Sequence, residues 1–134
     1  MTEWTSLFPA HKAACEGDVT TLRSTLQAGP GQVNALDNDG WTPMHYAAWY
    51  GQLAAVQLLL DTPGADANAP AKETGARPLH LAAGTGRVDV VQLLLRHPGV
   101  DRTVRNTDKQ TPLDLVKELR PDNAAAIIAL LVQA

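Results

Sequence analysis

The segment Thr42-Pro43-Met44-His45-Tyr46-Ala47-Ala48, followed by Gly51, decides the fold of this 134-residue chain. The same pattern returns 35 residues later as Arg77-Pro78-Leu79-His80-Leu81-Ala82-Ala83 with Gly86, and 34 residues after that as Thr111-Pro112-Leu113-Asp114-Leu115. Upstream by 34 residues it stands as Phe8-Pro9-Ala10-His11-Lys12-Ala13-Ala14 with Gly17. Four registers of one pattern indicate a repeat architecture, in which neighbouring units must stack to bury their apolar faces.

Each unit has the start and stop signals of a helix pair. Thr42 and Thr111 can cap a helix N-terminus, and the proline that follows them fits the first helical position. The glycines 17, 51 and 86 stand where the first helix must end, since glycine adopts the left-handed conformation at low cost. Each of the first three units continues with an apolar pattern that predicts a second helix, which Gly29-Pro30-Gly31, Pro63-Gly64 or Pro98-Gly99 would end.

The pattern resembles the ankyrin repeat, whose signature is T-P-L-H-x-A. Gly64-Ala65-Asp66-Ala67-Asn68-Ala69 is similar to a further conserved segment of that family. The resemblance covers residues 5–133. It implies an all-α solenoid of four stacked helix-turn-helix units with protruding β-turn tips. We expect one domain, residues 1–134, with repeats at about 5–37, 38–72, 73–106 and 107–134.

Some positions depart from the family pattern. Phe8 and Arg77 replace the capping threonine, and Asp114 replaces the histidine. Lys109 replaces the glycine of a turn, where a residue with a side chain should be strained. Repeats 1 and 4 therefore resemble end caps, whereas repeats 2 and 3 are complete internal units.

Composition and charge exclude several classes of protein. The formal net charge is −3. Residues 1–71 contain 2 basic and 7 acidic residues, and residues 72–134 contain 9 basic and 7 acidic residues. Nucleic acid is therefore not an expected partner. A single cysteine, Cys15, excludes an intrachain disulfide and a multi-thiolate metal site. The N-terminus lacks a secretory signal, and stretches such as Leu53–Leu60 and Ala124–Val132 are too short to span a membrane. We expect a soluble protein of the cytoplasm or nucleus.

No pattern in the chain predicts catalysis, a metal site or a cofactor. His11, His45 and His80 are tempting ligands, but stacked repeats would separate them by about 10 Å, too far to share one zinc ion. The family resemblance implies that they tie neighbouring loops together. Cys15 has no visible partner base, and Gly84-Thr85-Gly86 lacks the third glycine and the strand of a dinucleotide-binding loop.

Candidate binding residues follow from the resemblance. Ankyrin-like modules contact partners through their turn tips and through the two residues before the helix-ending glycine. The corresponding positions are Cys15 and Glu16 in repeat 1, Asn38, Asp39, Trp41, Trp49 and Tyr50 in repeat 2, Glu73, Thr74, Ala76, Gly84 and Thr85 in repeat 3, and Thr107, Asp108 and Gln110 in repeat 4. Arg77 and Lys109, which carry positive charge near the tips, are added to the candidates. Large aromatic residues beside small ones predict a ridge next to a shallow depression. Tyr46 should belong to the core, and Trp4 should cover the N-terminal end.

These positions favour a non-catalytic module that binds a loop or helix of another protein across repeats 2 and 3. Replacing both Trp41 and Trp49 with alanine should then abolish binding with little change in melting temperature. Lys72, Arg77, Arg105 and Lys109 are read as solvated charges, with the orientation of an acidic partner as the alternative.

Other interpretations remain open. Trp41 or Trp49 could stack on a small ligand or a nucleic-acid base, or the stack could serve as a spacer. The apolar segment Ala124–Val132 leaves the choice between a monomer and a weak dimer open. By resemblance, Asn34 and Asn68 are possible sites of hydroxylation.

Overall fold

The structure is a computed structural model that describes residues 8–133, apart from the side chain of Pro30. This range contains helices and turns and no strand, which confirms the all-α repeat solenoid. Each predicted repeat contains one pair of α-helices. The helices are α1 (Pro9–Glu16), α2 (Val19–Ala28), α3 (Pro43–Trp49), α4 (Leu53–Asp61), α5 (Pro78–Gly84), α6 (Val88–Arg96), α7 (Pro112–Leu119) and α8 (Ala124–Val132), with a 3-10 helix at Pro30–Asn34.

The helices form two layers. The first helix of each pair packs on the first helix of the next pair, and the second helices pack on one another in the same order. Alanines such as Ala14, Ala48 and Ala83 are fully buried in the first layer, so the backbones there can approach closely. Larger side chains such as Leu59 and Leu94 fill the second layer. One continuous apolar core results, from Ala10 to Leu131.

The helix ends follow the sequence signals. The Thr42 hydroxyl accepts a hydrogen bond from the His45 backbone N–H, and Thr111 caps α7 in the same way. Arg77 makes no side-chain cap at the start of α5. The glycine after the first helix has a φ of 74° at position 17, 70° at position 51 and 80° at position 86, as the turn requires.

Buried histidines connect each repeat to the next. His45 Nε2 lies 2.8 Å from the Ala76 carbonyl oxygen, and His80 Nε2 lies 2.8 Å from that of Gln110. His11 Nε2 lies 2.8 Å from the Trp41 carbonyl oxygen. All three imidazoles are inaccessible to solvent. They tie neighbouring loops together, as the resemblance implies.

Two asparagines form a parallel set of links at the opposite ends of the helices. The Asn34 amide donates to the Gly64 carbonyl at 2.7 Å and accepts from the Asp66 N–H at 2.8 Å. Asn68 repeats both bonds with Gly99 and Asp101. The amides therefore have a structural task, and their hydroxylation stays a prediction.

The last helix exposes much of its apolar surface. Only Ile127 and Leu131 of α8 are buried, whereas its alanines 125, 126 and 129 are exposed and Val132 is 60% exposed. Self-association through this helix stays a prediction. Among the described residues, no helix combines the length and the apolar character needed to cross a bilayer.

Replacing Lys109 with glycine should stabilise the protein. Lys109 has a φ of 63°, a left-handed conformation that costs a residue with a side chain roughly 1 kcal/mol relative to glycine. We expect the free energy of unfolding to rise by about 0.5–1 kcal/mol in urea denaturation. Lys72→Gly is the matched control, because Lys72 is also an exposed turn residue but its φ is not positive. A rise of equal size in both variants would refute the strain argument.

Stability should fall on mild acidification. Burial lowers the pKa of His45 from 6.5 to about 4, although its bond to the Ala76 carbonyl acts in the opposite direction, and burial also lowers the pKa of His11 and His80. Between pH 6.5 and 4 the unfolded chain binds protons that the folded chain excludes, so the free energy of unfolding decreases as the pH falls. His45 alone should account for about 2 kcal/mol between pH 7 and pH 5.

Urea denaturation at several pH values measures this dependence. His45→Gln should lower stability at pH 7 but should flatten the dependence on pH, because one titrating group is gone. A wild-type stability that does not change between pH 7 and pH 5 would contradict the assignment.

Candidate partner-binding surface

Four aromatic side chains of repeat 2 form a cluster, here called the aromatic patch: Trp41, Tyr46, Trp49 and Tyr50. The ring centroids of Trp41 and Trp49 are 6.0 Å apart with an interplanar angle of 66°, and those of Trp41 and Tyr46 are 5.0 Å apart. Trp49 is 41% exposed and Tyr50 is 47% exposed, whereas the other two are half-buried. The patch therefore presents large aromatic surface to solvent while it rests on the core.

Asp37 fixes the geometry of the patch. Its Oδ1 accepts hydrogen bonds from the backbone N–H groups of Asp39 and Trp41, both at 3.0 Å. Its Oδ2 accepts a short hydrogen bond from the Tyr46 hydroxyl. Burial and this bond to Asp37 raise the pKa of Tyr46, so the hydroxyl remains a donor. One carboxylate thus joins the turn tip of repeat 2 to helix α3.

Tyr46 is therefore less buried than the sequence analysis predicted. Its ring contributes to the patch, and its hydroxyl needs a polar partner that a leucine at this family position would not need. That need was a usable signal, because a buried phenol generally finds a hydrogen-bond partner. The identity of the partner, nine residues upstream, required the coordinates.

Gly40 allows the turn tips of repeats 2 and 3 to lie close together. The Lys72 N–H donates to the Gly40 carbonyl at 3.1 Å. A Cβ atom at Gly40 would lie 2.0 Å from the Lys72 Cβ, and the φ of Gly40 is 72°. Any side chain here would push the two tips apart.

The aromatic patch and the two turn tips border an open cavity of about 370 Å³. Asp39 from repeat 2 and Glu73 and Thr74 from repeat 3 complete its lining. Of the predicted binding residues, the structure therefore brings six together: Asp39, Trp41, Trp49, Tyr50, Glu73 and Thr74. Asn38 is exposed on the same tip as Asp39.

The predicted depression in repeat 3 is filled. A Cβ atom added to Gly84 would lie 3.3 Å from Leu115 Cδ2 and 3.4 Å from Leu119 Cδ1. Ala76 is only 6% exposed, and the Thr85 hydroxyl donates to the Leu81 carbonyl at 2.6 Å. These positions serve packing, and the concavity forms at the aromatic patch instead.

Arg77 connects three turns through hydrogen bonds from its guanidinium group. Its Nε donates to the Asn68 carbonyl at 3.1 Å, and its Nη1 donates to the carbonyls of Gly75 and Arg105 at 2.6 and 2.9 Å. The guanidinium is thus committed to three turns, which leaves it poorly placed to orient an acidic partner. An arginine at a turn position gave no sequence signal for this role.

The predicted residues of repeat 4 lie on its turn tip. Lys109 is exposed there. The Gln110 carbonyl binds His80, and its side-chain amide donates to Glu118. Neither residue lines the cavity at the aromatic patch.

A larger groove of about 700 Å³ lies between the second helices of repeats 1 and 2. Sequence reasoning missed it, because apolar residues at helical spacing predict a buried stripe and not a gap beside it. Its lining consists of Val19, Arg23, Leu26, Gln27, Ala54, Gln57, Leu58, Asp61, Thr62 and Pro63.

Cys15 and the potential metal ligands were the reactive side chains considered from the sequence. Burial, with a contribution from Glu16, raises the pKa of Cys15, so the thiol remains protonated at neutral pH. Within residues 8–133, no three histidine, cysteine, aspartate or glutamate side chains are arranged to hold a metal ion.

Models of known protein families match the part of the sequence that forms the helix pairs. A model of ankyrin repeats in three copies matches residues 2–71, and a second ankyrin repeat model matches residues 72–116. The chain belongs to the ankyrin repeat family. Proteins of this family are generally non-catalytic interaction modules.

Individual relatives match shorter parts of the chain. A Caenorhabditis elegans homolog of transient receptor potential cation channel subfamily A member 1 is 52% identical over 50 residues, which is 37% of this chain and 4% of that protein. Mouse protein phosphatase 1 regulatory subunit 12A is 45% identical over 51 residues, 38% of this chain and 5% of that protein. Human DNA-binding protein RFXANK is 36% identical over 63 residues, 47% of this chain and 24% of that protein. The chain thus spans a small fraction of each relative.

The two tryptophans should differ in their effect on stability. Trp41 packs against the core and contacts His45, Tyr46 and Trp49, so Trp41→Ala should lower the free energy of unfolding by about 2 kcal/mol or more. Trp49→Ala removes a more exposed ring and should cost less than about 1 kcal/mol. Urea denaturation of the two single variants measures the difference. Equal losses of stability would show that exposure does not separate the roles of the two residues. Because Trp41 packs on the core, the Trp41→Ala/Trp49→Ala double variant is now expected to melt below the wild type.

Proposed function

We propose that this chain is a non-catalytic protein-interaction module whose binding surface is the aromatic patch with the turn tips of repeats 2 and 3. The partner contributes a loop or helix that covers Trp49 and Tyr50. The observation that carries the proposal is the exposure of these two large rings beside the cavity, on a scaffold that Asp37 and the core hold in place.

Energetics favour this surface as the main contact. Aromatic side chains bury roughly 150–250 Å² each and dominate many interfaces. Preformed anchors also lose little conformational freedom on binding, because a rigid scaffold has already ordered them. Trp41 supports Trp49 through their ring contact and keeps the exposed indole in place.

Charge makes a protein a better partner than a nucleic acid. The carboxylates of Asp39 and Glu73 line the cavity. A phosphate backbone would bring negative charge toward them, which is unfavourable at close range. Stacking of a nucleic-acid base on the patch would have to overcome this repulsion.

Selection from a display library of random peptides tests the proposed function. Peptides enriched on the wild-type protein should bind a Trp49→Ala/Tyr50→Ala variant at least about 30-fold more weakly, since loss of an aromatic anchor typically costs about 2 kcal/mol or more. The melting temperature of the variant should stay within a few degrees of the wild type, because both rings are exposed.

Leu119→Ala/Val132→Ala is the matched control. These side chains are 56% and 60% exposed but lie outside the aromatic patch. Unchanged affinity in the patch variant, or an equal loss in the control, would refute the assignment of the surface.

A further inference from the structure

The cavity at the aromatic patch combines aromatic walls with an acidic rim. Trp41, Trp49 and Tyr50 form one side, while Asp39 and Glu73 approach from the tips of two successive repeats. Its volume of about 370 Å³ is at the lower end of the range for sites that hold small molecules. This size suits one long side chain.

The two carboxylates at the rim are available to a ligand. Within the described residues, neither the Asp39 nor the Glu73 side chain forms an ion pair or a hydrogen bond. Asp37 differs, because its carboxylate already serves Trp41, Asp39 and Tyr46. A partner that covers the rim must compensate both charges, since an unpaired carboxylate removed from water is strongly unfavourable.

Among the described residues, no lysine or arginine is paired with either rim carboxylate. Arg77 is held by three carbonyl groups, and Arg87 Nε donates to the Trp49 carbonyl at 3.2 Å. Lys72 is exposed and is not part of the cavity lining. A cationic ligand can supply the compensating charge.

The aromatic rings favour the same ligand charge. A cation within about 6 Å of a ring centroid is attracted to the face of tryptophan or tyrosine. Both indoles line the cavity, and their ring planes meet at 66°. A cationic group there gains ring contacts and carboxylate contacts together.

We propose that this cavity binds the cationic side chain of a lysine or arginine from the partner protein. The inference rests on the proposed function and adds the chemistry of the residue that enters the site. The aromatic walls hold the aliphatic stem and the charged group, and Asp39 and Glu73 pair with the ammonium or guanidinium.

A nuclear magnetic resonance titration tests the site with defined probes. The probes are N-acetyl-lysine methylamide, N-acetyl-arginine methylamide and the neutral Nε-acetylated form of the lysine probe. The observed signals are the indole N–H groups of Trp41 and Trp49, assigned with Trp41→Phe and Trp49→Phe. We expect saturable shifts for the cationic probes and about three- to thirty-fold weaker binding of the neutral probe, the range that a cation–π contact supports. The stronger of the two cationic probes identifies the preferred side chain.

A matched pair of double variants separates direct contact from overall charge. Asp39→Asn/Glu73→Gln should weaken the cationic probes at least about threefold and leave the neutral probe unchanged. Asp61→Asn/Asp108→Asn removes the same number of negative charges from exposed positions outside the cavity, and Asp108 is also on a turn tip. This control should bind the probes like the wild type.

Three outcomes would overturn the inference: equal binding of charged and neutral probes, equal losses in both double variants, or no shift with any probe. The peptides selected by display show whether such a result contradicts only the cationic anchor or also the proposed function. Peptides that need Trp49 and Tyr50 but tolerate replacement of every lysine and arginine by glutamine would leave the interaction surface standing and remove the cationic anchor. Peptides that bind the Trp49→Ala/Tyr50→Ala variant as tightly as the wild type would contradict the proposed function itself.

Discussion

Each junction between repeats depends on a neutral imidazole that is buried away from water. In repeat 2, His45 Nδ1 accepts from the Thr42 N–H at 3.1 Å, so the proton of the neutral ring belongs on Nε2, which donates to Ala76. His80 repeats the arrangement between Arg77 and Gln110. One ring thus forms a hydrogen bond with a backbone N–H at the start of a helix and another with a backbone carbonyl in the loop of the following repeat. A proton on Nδ1 would point at the N–H group, so this hydrogen bond favours the neutral ring.

The proposed binding surface follows from these junctions. The bond from His45 to Ala76 holds the end of the repeat 3 tip, and the contact between Gly40 and Lys72 holds its beginning. Glu73 is therefore presented beside Asp39, although 34 positions separate them in the sequence. The aromatic patch lies below both tips because Trp41 follows one tip directly and Trp49 ends the adjoining helix. The scaffold thus sets the positions, while the identities of a few side chains set the chemistry.

The fold could be predicted from the sequence because its signals are local and recur. Proline, glycine and threonine mark helix ends along the repeats, and the family resemblance implies the common role of the histidines. The candidate site was predictable only in part. Trp49 and Tyr50 follow from their place before Gly51, but the capture of Arg77 by Asn68 and Arg105 depends on contacts between loops that no local pattern encodes. The filling of the space at Gly84 by Leu115 and Leu119 has the same cause, since it depends on how closely one repeat approaches the next.

Because Asp39 and Glu73 belong to different repeats, occupancy of the cavity and docking of those repeats are thermodynamically linked. A ligand that grips both tips binds the stacked array and not one whose central joint has opened, so mass action must favour the closed joint. In a solenoid each repeat contacts only its neighbours, so stability depends on joints such as the one between repeats 2 and 3. Binding of a partner would therefore stabilise this joint, and the repeats on its two sides would unfold more cooperatively.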